Sequence, residues 1–391
     1  MDMTPTTARG WWTAAGVTAV PAAANGLGRF AYGLVLPAMQ HALGWSALQA
    51  GLVGAANLAG YLVGALLADR LLVRLGEFRA TLGALIAVAV SLAAAAISAS
   101  LPVLLVVRFG NGLAAAVAFI GGAVAIMSLA DRQPRGRGDR MLGLYFAGPG
   151  VGIVVSAVVI TAPAGADRWR LAWLLLSAAC AVCGLASVPA LRRACGPVSP
   201  RDTNRPRRRP WDRRRVAPVL LAYGTFGAGY IAFMTFAIAY LRTTRHASTR
   251  TVTAFWLVLG AAGVVIGVAL IRRVTTARGG RGLALLTAIT AVASALPTVS
   301  GSVAVALLAA ALFGSFFSVS TAATAVIRQQ LPERQWPPAI AGLTAIFGLG
   351  QCAGPVLSGA LSDGPAGLRT GLLAGTVLLA LSSACALAQR P

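Results

Sequence analysis

The 391-residue sequence contains no lysine and few charged residues of any kind. Charged residues make up 11% of the chain, whereas a typical soluble domain has about 25%. This shortage excludes an ordinary soluble globular protein. Hydrophobic residues account for 57% of the chain, with a mean hydropathy of +0.77. The composition therefore indicates an integral membrane protein.

Acidic residues are scarcer than basic ones, and none lies deep in an apolar run. The sequence has 10 aspartates and glutamates against 33 arginines, a formal net charge of +23. No buried acid pair is available for catalysis, and no buried carboxylate for carrying protons. A strongly basic chain can bind nucleic acid, but these arginines stand between apolar runs. We therefore expect no nucleic-acid partner.

Cysteine and histidine are also rare, with five cysteines and two histidines in the chain. Cys180 and Cys183 form a C-x-x-C motif, but they lie in an apolar run without a nearby histidine or acid, which favours a packing role. His41 and His246 lie near predicted span ends. We predict no catalytic residue, no metal site and no cofactor, and we expect the chain not to be an enzyme. The long first apolar run is not typical of a cleavable signal peptide.

What the chain does have is twelve apolar runs, each about long enough to cross a bilayer as a helix. They predict an all-α membrane fold of twelve transmembrane helices, numbered here as spans one to twelve. The spans cover residues 12–38, 46–69, 80–100, 102–128, 141–163, 169–191, 216–241, 251–271, 282–299, 302–327, 338–361 and 367–388.

The arginines between the spans predict the orientation. With a cytoplasmic amino terminus, 25 arginines fall on the cytoplasmic side and 6 on the other. Cytoplasmic loops carry the excess of positive residues, so both termini are predicted to be cytoplasmic, in a bacterial inner membrane. The chain divides into bundles 1–191 and 216–391, joined by a basic, proline-rich linker at 192–215. The linker is expected to contact anionic lipid headgroups or to remain a solvated connection.

Two local repeats relate the halves. Residues 26–32 (GLGRFAY) align with 227–233 (GAGYIAF), and Gly148-Pro149 recurs as Gly354-Pro355. Repeated halves around a midplane site are a common design of secondary transporters.

Four further motifs carry a resemblance to a known family. They are Gly64 to Asp69-Arg70 after span two, Arg108-x-x-x-Gly112 in span four, Gly148-Pro149 to Gly152 in span five, and Pro332 to Arg334 before span eleven. Over its whole length the chain resembles the major facilitator superfamily. The opening motif at 26–32 resembles the YbfB/YjiJ-like branch.

This resemblance implies two pseudo-symmetric six-helix bundles and secondary active transport of a small molecule by alternating access. It also implies a monomer. The Gly-Pro element favours efflux. One alternative is import of an anionic, carboxylate-bearing metabolite by proton symport, and another is a membrane sensor or assembly partner that transports nothing.

Candidate substrate-binding residues are polar and aromatic side chains at helical spacing within the spans. An ionisable residue inside a membrane is a functional candidate, and a desolvated arginine binds carboxylates well. Arg29 and Arg108 therefore favour an anionic substrate, although a structural role for Arg108 is an alternative. The predicted site residues are Asn25, Arg29, Tyr32, Asn57, Tyr61, Arg108, Asn111, Tyr145, Tyr223, Tyr230 and Gln351.

A second set is predicted to control conformational change. Asp69 is expected to accept hydrogen bonds at the start of span eleven, with Arg70 beside it and Arg140 as a further partner. The Gly-Pro pairs are expected to let spans five and eleven flex. The set comprises Asp69, Arg70, Arg140, Gly148, Pro149, Gly354 and Pro355.

Overall fold

The computed structural model describes residues 5–161, 168–195, 211–269 and 277–390, and within them the chain is helical without strands. Most of the predicted linker lies outside these residues. The α-helices are α1 (Pro5–Pro21), α2 (Tyr32–Leu43), α3 (Ala47–Leu75), α4 (Glu77–Ile97), α5 (Leu101–Ala130), α6 (Arg135–Thr161), α7 (Trp169–Ala194), α8 (Ala217–Thr243), α9 (Thr249–Ala269), α10 (Arg281–Val299), α11 (Val303–Phe313), α12 (Phe316–Gln330), α13 (Trp336–Ser362) and α14 (Leu368–Leu387).

Eleven segments of the described chain are long and apolar enough to cross a membrane. The predicted first span is also helical, but a π-helix, Ala22–Phe30, separates α1 from α2. Its wider turn is visible at its end, where the Ala31 amide donates to the Gly26 carbonyl five residues earlier, at 3.1 Å. The twelve-helix prediction is therefore confirmed in outline, and the first of the twelve spans contains a π-helical segment.

Two other predicted boundaries differ from the structure. The Gly64 to Arg70 motif lies within α3 rather than in a loop, because the next glycine with positive φ, Gly76 at 82°, is where the chain turns. Span ten is broken at Gly314 and Ser315 into α11 and α12. Gly314 lies against the backbone of Ala262 in α9, so a close helix contact coincides with the break.

The chain forms two compact units. Unit 1 contains residues 1–38 and 56–203, and unit 2 contains residues 39–55 and 204–391. Helix α3 thus begins in unit 2 and continues in unit 1. The predicted bundles 1–191 and 216–391 differ from these units chiefly in the placement of residues 39–55.

In unit 1, glycines allow helices to approach at backbone distance. Gly112 of α5 faces the carbonyl of Asn57 in α3, and Gly152 of α6 faces the carbonyl of Ala22 in the π-helix. A Cβ atom at either glycine would collide with that carbonyl oxygen. Small interfacial residues are how membrane helices gain close packing, since lipid supplies no hydrophobic drive for helix association.

Unit 2 repeats this arrangement between α8 and α13. Gly354 of α13 faces the carbonyl of Ala228, and Gly227 of α8 faces the carbonyl of Phe347. The aligned sequence repeats thus share a physical basis, because Gly26 and Gly227 both lie where the first helix of a half crosses its fifth.

The start of α3 is bound to the end of α13 by a carboxylate. Asp363 accepts hydrogen bonds from the backbone amides of Ala47, at 2.7 Å, and Leu48, at 3.1 Å. Amides in the first turn of a helix have no intrahelical partner, and a negative charge there is favourable. One turn away, Gly359 of α13 faces the carbonyl of Ala47. These contacts join the first turn of α3 to α13 within unit 2, to which residues 39–55 belong.

Two neighbouring glycines of α5 test the close-packing account. We expect Gly112→Ala to destabilise the protein by about 1–3 kcal/mol, as overpacking does, because its Cβ would meet the Asn57 carbonyl. Gly110 has open space around it, so Gly110→Ala should be neutral or slightly stabilising. Thermal unfolding of the detergent-purified variants measures both. Equal stability of the two variants would contradict the account.

Candidate functional site

The polar centre of unit 1 is built on the π-helix. Its sequence, AAANGLGRF, contains two glycines and follows Pro21, and both residue types weaken an ordinary α-helix. Every residue of the π-helix is buried, including Asn25 and Arg29. Short π-helical segments occur frequently at functional sites. This π-helix places the positively charged side chain of Arg29 in the middle of the predicted first span.

Arg29 lies against aromatic rings. Its guanidinium carbon is 4.9 Å from the centre of the Tyr61 ring and 5.3 Å from that of Phe30, and 8% of the residue is exposed. A cation over a ring face is stabilised by the ring quadrupole, more so when water is excluded. Ring faces therefore contribute to the placement of this cation.

Arg108 is bound by well-formed hydrogen bonds. Its Nη1 donates to the carbonyl of Gly28, at 2.8 Å, and to Oδ1 of Asn111, at 3.3 Å. Its guanidinium also lies 5.2 Å from the Tyr32 ring centre and 5.3 Å from that of Trp173. Only 2% of Arg108 is exposed. It binds the last turn of the π-helix, next to Arg29.

Asn111 connects four spans into one network. It accepts from Nδ2 of Asn57, at 2.8 Å, and donates from its own Nδ2 to Oγ of Ser91, at 2.8 Å. Asn57 also donates to the carbonyl of Arg108, at 3.1 Å. We call Asn57, Ser91, Arg108 and Asn111 the polar hub. Through Gly28, the hub ties spans two, three and four to the π-helix.

Three other predicted site residues divide between the π-helix and the unit interior. Tyr61 lies under Arg29, and Tyr32 stacks on Trp173 with ring centres 6.3 Å apart. Tyr145 is fully buried and its hydroxyl donates to the carbonyl of Phe119, at 2.5 Å. The Tyr145 hydroxyl is thus engaged by the protein, and its substrate contact stays a prediction.

Asn25 carries a buried oxygen that the fold does not satisfy. The residue is 6% exposed, and its Oδ1 has no hydrogen-bond partner among the described residues. A buried acceptor left unpaired is costly. It therefore marks a place where a donor from a substrate or a water would be stabilising.

Unit 2 contains a different chemistry at the corresponding position. Tyr223, Phe226 and Tyr230 of α8 stack with Phe347 of α13, with ring planes within 11° of parallel in every contacting pair. We call these four rings the ring array. The Tyr230 hydroxyl accepts a hydrogen bond from Nε2 of Gln351. Three predicted site residues, Tyr223, Tyr230 and Gln351, thus lie together.

The predicted gating residues fall into two groups. Asp69, Arg70 and Arg140 are exposed. The hydrogen bonds expected between Asp69 and the start of span eleven, and its contact with Arg140, stay a prediction. Gly148 packs against Pro21 and the carbonyl of Thr18, and Gly354 against the backbone of Ala228. These glycines serve close helix contact, and the flexing expected at Pro149 and Pro355 stays a prediction.

Sequence reasoning missed two residues near Arg108, namely Ser91 of the polar hub and Trp173, whose ring lies against the Arg108 guanidinium. Ser91 is the polar side chain in the middle of an otherwise apolar span three, which is a signal that could have been used. Trp173 lies near the start of span six, where a tryptophan is typical of the membrane interface, so its contact with Arg108 had no sequence signal.

The fold and the buried polar centre define a class. Eleven membrane-length apolar segments among the described residues, a further helical first span and the helix crossings repeated in both units are the features of a secondary transporter of the major facilitator type. A family model described as "Uncharacterised MFS-type transporter YbfB" matches residues 21–387. The chain belongs to this family of major facilitator transporters. It is therefore an integral membrane transporter and not an enzyme.

Solved structures of major facilitator transporters share the fold. A bacterial homologue of the human lysosomal transporter Spinster, in an inward-facing and occupied conformation, is 17% identical, with a TM-score of 0.71, covering 99% of this chain and 97% of that one. The D-xylose-proton symporter is 15% identical, with a TM-score of 0.74 and 98% of both chains covered. The nucleoside transporter NupG is 13% identical, with a TM-score of 0.72, covering 96% and 98%.

None of the curated proteins compared with the sequence matches it significantly. At these identities the solved structures bear on the fold alone. Transport of a nucleoside and of D-xylose is said of those proteins.

Arg108 and the exposed Arg170 are expected to respond differently to loss of charge. Arg108→Gln removes a donor from the buried Gly28 carbonyl, so we expect a loss of about 1–3 kcal/mol in stability. Arg170 is exposed at the start of α7, so Arg170→Gln should leave the unfolding temperature nearly unchanged. Thermal unfolding of both purified variants tests the distinction, which fails if Arg170→Gln is the less stable of the two.

Proposed function

We propose that this transporter moves a small organic anion with a carboxylate group, and that Arg29 binds the charge. One observation carries the proposal: Arg29 is a buried cation on a π-helix, and no aspartate or glutamate lies deep inside the spans. A buried charge in a low-dielectric region is costly. An anionic substrate offsets that cost while it is bound.

The contacts of the two arginines support different roles. Arg108 has its donors directed to Gly28 and Asn111, so we assign it to positioning the π-helix. Arg29 lies over the rings of Tyr61 and Phe30, and a guanidinium can bind a carboxylate bidentately. Asn25, one turn earlier, adds an unsatisfied acceptor for a hydroxyl or amine on the same substrate.

The coupling of substrate transport to proton movement depends on the same distribution of charged residues. Because the spans contain no acid deep within them, we propose that the proton, where one moves, travels on the carboxylate of the substrate. Export stays the predicted direction, from the Gly148-Pro149 element, and import by proton symport is the alternative. The inner-membrane location, cytoplasmic termini, monomeric state and lipid contacts of the linker also stay predictions.

An exchange assay with purified protein in liposomes tests the anion site whichever way the protein transports, because exchange requires no net flux. We expect preloaded small carboxylates to exchange with external radiolabelled acid, while their uncharged primary amides do not. Arg29→Gln should lower this exchange at least about tenfold, because it removes the charge that binds the carboxylate. Arg29→Lys should retain part of it.

Arg170 supplies a matched control. It also lies over an aromatic ring, 4.3 Å from the centre of Trp169, but it is exposed at the start of α7. Arg170→Gln should exchange acids at the wild-type rate. Wild-type exchange by Arg29→Gln, or equal exchange of acids and amides, would contradict the proposed function. A pH gradient imposed on the same vesicles then separates export from symport.

A further inference from the structure

The ring array of unit 2 has an unusual geometry. Its centroid distances run from 4.3 Å, between Tyr223 and Phe347, to 6.1 Å, and its planes differ by only 6° to 11°. The ring of Phe316 in α12 continues it from Tyr230, at 5.3 Å and 22°. Aromatic side chains packed in a core adopt a mixture of offset-stacked and edge-to-face contacts. Here the faces are aligned.

A neighbouring cluster of rings in the same unit shows the contrast. Phe233 contacts Phe255 at 47° and Phe313 at 30°. Each of these three rings is at most 1% exposed. Tilted, fully covered rings are ordinary core packing. The ring array differs in its parallel planes, and one of its four rings, Phe347, is half-buried while Tyr223, Phe226 and Tyr230 are buried.

The position of the array in the repeat connects it to the substrate. In the aligned repeats, Tyr230 takes the place that Arg29 holds in the first half. Tyr230 also carries the polar end of the array, because its hydroxyl is bonded to Gln351. In unit 2, the position aligned with Arg29 thus carries a ring face with a polar group.

We propose that the ring array binds the flat, conjugated part of the transported molecule by stacking, so that the substrate class is aromatic acids rather than saturated ones. The inference rests on the proposed function for the acid group only. Phe347 is half-buried, and a planar ring stacked on its face would extend the parallel faces already present. A saturated ring of the same size cannot, because its axial hydrogens prevent face-to-face contact.

Competition binding to the purified full chain tests this. Radiolabelled 2-naphthoate is displaced by matched pairs of acids: benzoate against cyclohexanecarboxylate, and 2-naphthoate against its decahydro analogue. We expect the aromatic member of each pair to bind about two- to twelvefold more tightly, the range of aromatic pair energies. Equal affinities within each pair, or no binding of 2-naphthoate, would overturn the inference.

Two variants locate the preference. Phe347→Leu should reduce the affinity ratio of the aromatic to the saturated acid to less than about twofold, while the affinity for the saturated acids stays unchanged. Phe347→Tyr should restore the ratio. Phe255→Leu, which removes a ring of the tilted cluster, should keep the wild-type ratio. The ring array is contradicted if Phe347→Leu keeps the full preference for aromatic acids. It is also contradicted if this variant loses affinity for the aromatic and the saturated acid equally.

The same titrations separate this inference from the proposed function. In one outcome, Arg29→Gln binds neither aromatic nor saturated acids, and the wild type binds both kinds equally tightly. That outcome would support the anion site and refute the ring array. Binding of benzamide as tightly as benzoate, with a ring preference that depends on Phe347, would support the array and refute the anion site.

Discussion

Backbone contact between helices is the constraint on which this structure depends. Lipid gives apolar helices little reason to associate, so packing must come from close approach and from interhelical hydrogen bonds. Glycines at 112, 152, 227 and 354 place carbonyl oxygens of the neighbouring helix where a side chain would otherwise stand. The motifs that first indicated a family are, in physical terms, mostly the sites of these crossings.

The polar hub exists because of that approach. Asn57 reaches both Asn111 and the Arg108 carbonyl only because Gly112 brings α3 against α5. A hydrogen-bonded network in a low-dielectric interior is strong when every member is satisfied. This one ends on the Gly28 carbonyl, so the shape of the π-helix, and with it the position of Arg29, is fixed from three other spans.

The fold followed closely from the sequence because the hydropathy of each run reports directly on its passage through the bilayer. The π-helix did not, since no residue pattern distinguishes it from an α-helix containing Gly26 and Gly28. For Arg108, the sequence left two roles open because a guanidinium can bind either a carbonyl or a carboxylate. Tyr223 and Tyr230 of span seven were predicted from helical spacing, but the orientation of their rings depends on side-chain rotamers and on Phe347, far away in the chain.

Helix α3 belongs to two compact units, with the Asp363 carboxylate holding its first turn. A chain cut within the basic linker would therefore not separate unit 2 as one continuous fragment. The amino-terminal piece would keep residues 39–55, and the carboxy-terminal piece would expose the glycine face of α13 and an unused carboxylate. Two such fragments made in the same cell carry a built-in means of recognising each other, which makes this protein a natural subject for fragment complementation.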